Sequence, residues 1–396
     1  MSIIDLKRTW AEIDLEALAH NFHEIKARLK PQTKICCVVK ADGYGHGAVV
    51  LCKEYEELGA DWFAVSNLEE ASQLRAGGIR LPILILGYTP PAMAGQLDAL
   101  KVSQAVYSLD YARELSRCAV RMDVQIKSHI KVDTGMSRIG FFYQHPDQDG
   151  KALEEMAAAC RLPGLVSEGI FTHFAAADEG EAGRAYTQAQ YHAFCGAIDA
   201  LAGRGITFTI RHCANSAAVL DYPEYQLDMV RPGIILYGLS PSTQMRCRMD
   251  YRPVMTLKSV LSMVKEIQPG VSVSYGRRFT ASRPMTVGTV PIGYADGYPR
   301  ALCDQGAYVL VHGRPVPIIG RICMDQLMVD LTGLQDVRTE DEVELFGLGI
   351  SAGELAEKLG TISYELLCNV SKRVPRVYWK NGASVERLDY ICDGFE

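Results

Sequence analysis

Between residues 14 and 240, short apolar runs alternate with amphipathic stretches. The runs KICCVV, DWFAVS, LPILILG, SQAVYS, VQIKSHIKV, LVSEGIFTHF, FTIRHC and QLDMVRPGIILYG are strand-sized. Between most of them lie segments such as LEEASQLRAGG and AYTQAQYHAFCGAIDALAGRG, whose apolar residues recur every three or four positions, as in a helix with one buried face. Eight strands alternating with helices predict parallel βαβ units. Eight is also the number that closes a (β/α)8 TIM-like barrel, whose usual size is about 250 residues. A doubly wound open sheet is the alternative, but no G-x-G-x-x-G follows the first run.

After residue 240 the texture changes. MTLKSVLSMVKEIQPG, MTVGTVPIG, AYVLVHGRPVPIIG, QLMVDLTG and DEVELFG are short alternating runs broken by Gly, Pro and Asp. They predict a β-rich domain over 241–396 with one helical insertion, SAGELAEKLG.

Composition agrees with this division and narrows the function. A chain of 396 residues exceeds what one core usually serves, so two domains are expected. With 48% hydrophobic and 22% charged residues it has an ordinary globular composition. The net charge of −6 gives no support to a nucleic-acid or anionic-membrane partner. The start, MSIIDLKRTWAEIDLEAL, lacks a charged-then-apolar leader, and no run approaches ~18 apolar residues, so a cytoplasmic protein is expected. The 12 cysteines are scattered, without a C-x-x-C, and read as reduced thiols rather than a zinc site or a disulfide framework.

Chemistry in a barrel sits at the carboxyl ends of the strands. Lys40 and Tyr44 follow the first strand, in VVKADGYGHGA; Lys131 and Arg138 follow the fifth and His173 the sixth. Asn215 and Ser216 follow the seventh, and Arg231 and Gly233 belong to the eighth. Each alone has a bland reading: strand-end lysines snorkel, and a histidine in an apolar run is usually a satisfied core residue. Together they face one mouth. Ser216, the amides around Gly233 and a tyrosine hydroxyl suit a phosphate cradle at the seventh and eighth strands. A reactive lysine beside such a cradle points to pyridoxal phosphate, whose aldehyde forms a Schiff base with lysine. Arg231 fits either the cofactor ring or a substrate carboxylate.

The motifs VVKADGYGHGA, KVDTGMSRIG, FTHFAAAD, NSAA, VRPGIILYG, SYG, VPIGYADGYPR, GRICMDQLMVD and ISYELLCNVSKRVPRVY stand in the order and spacing of the alanine racemases, and the chain resembles that family over essentially its whole length. The resemblance implies a homodimeric pyridoxal-phosphate enzyme that interconverts L- and D-alanine and supplies D-alanine for peptidoglycan. It also implies that the N-terminal segment 1–13 joins the second domain. By resemblance, Lys40 carries the cofactor, and Tyr44, Ser216, Gly233, Ile234 and Tyr364 hold its phosphate. Arg231 faces the ring nitrogen, and Arg138 meets the substrate carboxylate, steadied by Lys131, a lysine carbamylated in many relatives. Tyr275 looks like the second base, linked through His173 towards Arg231. Met324 and Asp325 border the substrate and Tyr294 the entrance. Tyr275, Tyr294, Met324 and Asp325 are implied to come from the other subunit. Ser137 departs from the Gly or Thr common in relatives, which bears on fine specificity. A serine or broad-specificity racemase of the same fold, and a non-catalytic pyridoxal-phosphate carrier, are the alternatives.

Overall fold

The computed structural model describes residues 8–392 apart from residue 146. Residues 1–7 of the expected N-terminal segment and 393–396 of the expected second domain lie outside the described residues.

All eight expected barrel runs contain a strand. Lys34–Val38, Trp62–Val65, Ile83–Ile85, Ser103–Val106, Ile126–Asp133, Leu165–Phe171, Ile210–His212 and Met229–Val230 form one parallel sheet. The last strand pairs back onto the first. On its other side the Asp228 amide donates to the Arg211 carbonyl (3.1 Å) and the Arg231 amide to that of Ala214 (2.9 Å), which closes the ring. Helices begin where the sequence offers a capping side chain. Asp14, Asn67, Ser108 and Asn215 each accept an amide of the following first turn.

Two expectations need correction. QLDMVRPGIILYG is a strand only over Met229–Val230; Pro232 has no amide to continue a ladder, and Ile234–Tyr237 winds into a 3₁₀ turn. Among the described residues the second domain holds not one α-helix but two, Ala352–Leu359 and Ser363–Cys368, and the strands Arg376–Lys380 and Ala383–Leu388 were not foreseen.

The second unit is a curled sheet of ten strands. Thr9–Asp14 lies within it, antiparallel to Met255–Val260 and parallel to Arg376–Lys380. The chain therefore enters through the second sheet and passes at Asp14 straight into the first barrel helix, Leu15–Lys26. One hydrophobic cluster runs unbroken from the barrel to this sheet, from Leu18 and Phe63 to Leu257 and Tyr378. That continuity matters for the site, because the turn that carries Lys40 is pressed between the two units.

Candidate active site

After the first barrel strand the chain makes a turn of unusual handedness. Ala41, Asp42, Gly43 and Tyr44 have φ of 51°, 54°, 62° and 53°. Residues with a Cβ resist this conformation, so the turn must be held from outside. Glu70 accepts the Ala41 amide at 2.7 Å, Asp42 accepts the Ala48 amide at 2.9 Å, and the Tyr390 hydroxyl donates to Asp42. The second unit completes the clamp. Arg376 donates through Nε to the Gly45 carbonyl at 2.8 Å, and the Tyr378 hydroxyl donates to that of His46 at 2.9 Å. A Cβ on Gly45 would lie 2.5 Å from the Leu367 carbonyl oxygen, and one on Gly47 would lie 1.9 Å from the Tyr378 hydroxyl. These two glycines therefore let the second domain close on the turn and fix Lys40 and Tyr44.

Lys40 and Tyr44 open into a cavity of about 580 Å³ at the carboxyl ends of the strands. Eleven of the expected residues line it, Asn215 at the end of the seventh strand among them. Lys40, Tyr44, Lys131, Arg138 and His173 come from the first six strands; Ser216, Arg231, Gly233 and Ile234 come from the last two; Tyr364 reaches in from the second unit. The Gly233 amide donates to Ser216 Oγ at 2.8 Å, and a Cβ on Gly233 would stand 2.7 Å from the Tyr44 hydroxyl. The Tyr364 ring lies 5.8 Å from that of Tyr44. Hydroxyls and a side-chain-free amide thus gather at one end of the cavity, and the lysines and arginines line the rest.

Arg231 is buried. It donates to His212 Nδ1 (2.8 Å) and to the carbonyls of Thr172 (2.8 Å) and Cys213 (3.2 Å), and it lies 3.3 Å from His173 Nδ1. Burial lowers its pKa to about 10, against a small opposing pull from the Cys213 and Cys36 thiols. Guanidinium has no acceptor, so both histidines meet it with an unprotonated Nδ1.

The cluster is strongly cationic, and it shapes its own members. Burial and then Arg138 bias Lys40 towards its neutral amine, against Glu70 and Cys368. Burial, then Arg231 and Arg138, push Lys131 much further the same way; its amine sits 4.4 Å over the Phe171 ring. His173 is held well below its usual range by burial and then by Lys131, Arg231, Arg138 and Lys40. Ser137, beside the exposed Arg138, has φ 54°, a position glycine fills more easily. Its amide bonds Asp133 at 2.9 Å, and its hydroxyl accepts from Gln144 at 3.0 Å.

Four expected residues lie elsewhere. Tyr275, Met324 and Asp325 line a separate cavity of about 530 Å³ on the second domain, and Tyr275 is 69% exposed. Tyr294 is also exposed, its amide bonded to the Cys323 carbonyl at 3.1 Å. Sequence reasoning passed over Glu70, Phe171 and His212. The signal for Phe171 and His212 was strand alternation, which turns every second residue to the barrel interior.

Amine chemistry is what a mouth lined by lysines and arginines supports, on a frame that joins a (β/α) barrel to a curled sheet. Family models for the N-terminal and C-terminal domains of alanine racemase match residues 13–241 and 254–378. The alanine racemase of Desulfovibrio desulfuricans is 50% identical over 374 residues, 93% of this chain and 97% of that protein. That of Desulforamulus reducens is 46% identical over 93% of this chain and 98% of its own length. The structure of alanine racemase from Bacillus anthracis with bound L-Ala-P superposes with a TM-score of 0.90 at 37% identity, covering 98% and 99% of the two chains. The chain belongs to the alanine racemase family, a family of pyridoxal-phosphate isomerases. Among the described residues no helix is long and apolar enough to cross a membrane.

Proposed function

We propose that this chain binds pyridoxal 5'-phosphate through Lys40 and racemises alanine in a site completed by a second copy of itself. The observation that carries the reading is the convergence, in one cavity, of Lys40, the Ser216–Gly233–Tyr44–Tyr364 cluster and Arg231. Pyridoxal phosphate supplies an aldehyde that links to amines and a ring that draws electrons from the substrate Cα–H bond.

Ser216, Tyr44, Tyr364 and the amides of Gly233 and Ile234 suit the phosphate, and the close approach of Tyr44 to Gly233 leaves the cradle no room for a side chain there. Arg231 suits the ring nitrogen. A guanidinium can only donate, so Arg231 would leave that nitrogen unprotonated, a setting that would favour return of the proton to Cα over other fates. Arg138 suits the substrate carboxylate. Lys131, a buried lysine biased to the neutral amine by burial, Arg231 and Arg138 against the pull of Asp133, suits carbamylation, whose product would face Arg138. A signal from ¹³C-labelled bicarbonate that is absent in Lys131→Ala checks this.

Racemisation takes a proton from one face of Cα and returns it on the other, and two bases do so without moving the substrate. Lys40, once its amine is freed by the substrate, and Tyr275 of a second subunit fit the two faces. Their ordinary pKa values are near 10, so each needs a tuned neighbourhood. Burial and Arg138 supply it for Lys40, while His173, held neutral at the end of Arg231, would serve Tyr275. Met324, Asp325 and Tyr294 of that subunit would border the substrate and the entrance.

Polarimetry with L-alanine and added pyridoxal phosphate tests the proposal, with kcat/KM for D-alanine and L-serine alongside. Loss of rotation with L-alanine is expected; an absorbing cofactor without loss of rotation would leave only a carrier.

A further inference from the structure

Behind Arg231 the barrel interior is polar in a way that closing a hydrophobic core does not require. His212 and His129 are fully buried, and His212 Nε2 lies 2.9 Å from His129 Nδ1. His129 Nε2 in turn faces Glu168 Oε2 across 3.7 Å, beyond hydrogen-bond length. Glu168 is anchored near the amino-terminal ends of the strands by Ser103 Oγ (3.0 Å) and Lys127 Nζ (2.9 Å).

Two local departures from regular structure make this arrangement possible. The ladder between Ile126–Asp133 and Leu165–Phe171 slips at Ser128/His129, so that Ser128 faces Ser167 and His129 faces Gly169. Glu168 is the extra residue of this bulge, and a bulge redirects a side chain that plain alternation would send to the other face. Beside it, a Cβ on Gly169 would lie 2.5 Å from the His129 ring. The rings are also confined: His212 stacks on Phe171 (4.9 Å, 4° between planes), and His129 meets the Trp62 ring edge-on at 5.4 Å.

We propose that Glu168, His129 and His212 are positioning residues, a directional chain through the barrel core that fixes the Arg231 guanidinium from behind. This rests on the reading that Arg231 faces the cofactor ring. The direction follows from donor counting. Arg231 can only donate, so His212 accepts at Nδ1 and carries its proton on Nε2. That proton goes to His129 Nδ1, which leaves the His129 proton on Nε2, aimed at the carboxylate. Arg231, which makes no ion pair among the described residues, thereby stands in line, through two neutral rings, with a carboxylate at the far end. Such a chain polarises in one sense only, and it holds the guanidinium plane more narrowly than backbone carbonyls alone.

Long-range ¹H–¹⁵N spectra of histidine-labelled enzyme, with and without pyridoxal phosphate, read the tautomer of each ring. His129→Gln and His212→Gln assign the two signals. Both rings are expected to be Nε2-protonated and not to titrate from about pH 6 to 9; an Nδ1-protonated ring at either position overturns the chain. Glu168→Gln, which keeps shape and removes charge, should lower kcat roughly tenfold through misplacement of Arg231. KM should stay within about twofold, and Glu168→Asp should recover part of the loss. Unchanged kcat in folded Glu168→Gln overturns the positioning role whatever the tautomers. Because the rings are read without turnover, failure of the wild type to racemise alanine would refute the proposed function and leave the chain to the spectra.

Discussion

Two lysines, two arginines and a histidine share one cavity wall, and burial, followed by repulsion from the neighbouring cations, biases both lysines and the histidine to their neutral forms. Lys40 and Lys131 are both biased to the neutral amine, yet only Lys40 sits on the clamped turn beside the hydroxyl cluster. Borohydride reduction of the loaded enzyme followed by peptide mapping should therefore place the pyridoxyl group on Lys40; a label on Lys131 would reverse the assignment. Arg231 gives a second test at this scale. Arg231→Glu would offer the ring nitrogen an acceptor, so racemisation should slow and transamination take a larger share of turnovers; an unchanged product ratio would reduce Arg231 to a carboxylate ligand. These residues were legible because strand ends and glycine turns mark where polar groups serve a barrel mouth. His129 and His212 were not. In VQIKSHIKV and FTIRHC each reads as a core histidine, and only the observed bulge reveals that the two rings meet.

Elements show the same contrast between local and assembled information. The eight barrel strands were legible because each is a short apolar run, and Thr9–Asp14 was assigned to the second unit only by family resemblance. Ser363–Cys368 escaped because six residues are too few for helical periodicity to stand out, and Met229–Val230 is shorter than its apolar run because Pro232 ends the ladder. The slipped register at Ser128/His129 has no signature in a single strand at all, since it belongs to the pair. Its stability consequence is specific. Gly169→Ala would press a methyl against the His129 ring at 2.5 Å, between confined neighbours. Overpacking of this kind costs about 1–3 kcal/mol. Urea unfolding should show a lower midpoint with an unchanged slope, and an unchanged midpoint would mean that the ring has room to move.

At the scale of the molecule, the proposed two-base reading makes one copy of the chain an incomplete catalyst. The cavity that holds Lys40 contains one of the two proposed bases, while Tyr275 stands 69% exposed over a different cavity, beside Met324 and Asp325. Brought to His173 of another subunit, the Tyr275 ring would meet the Arg231 cluster. A head-to-tail dimer would satisfy both surfaces and cover the exposed side chains of Tyr275, Tyr294 and Met324. The prediction is complementation. Loss of a proton-transferring base costs on the order of 10²–10⁴ in rate, so Tyr275→Phe and Lys40→Ala should each be nearly inactive as homodimers. Mixed subunits would form heterodimers in which one site carries both substitutions and the other carries neither. Activity should return to at most half the wild-type value per heterodimer. Native mass spectrometry must show that subunits have exchanged; exchange without any return of activity would mean that Lys40 and Tyr275 do not meet across subunits, and that the second base lies within the barrel that carries Lys40.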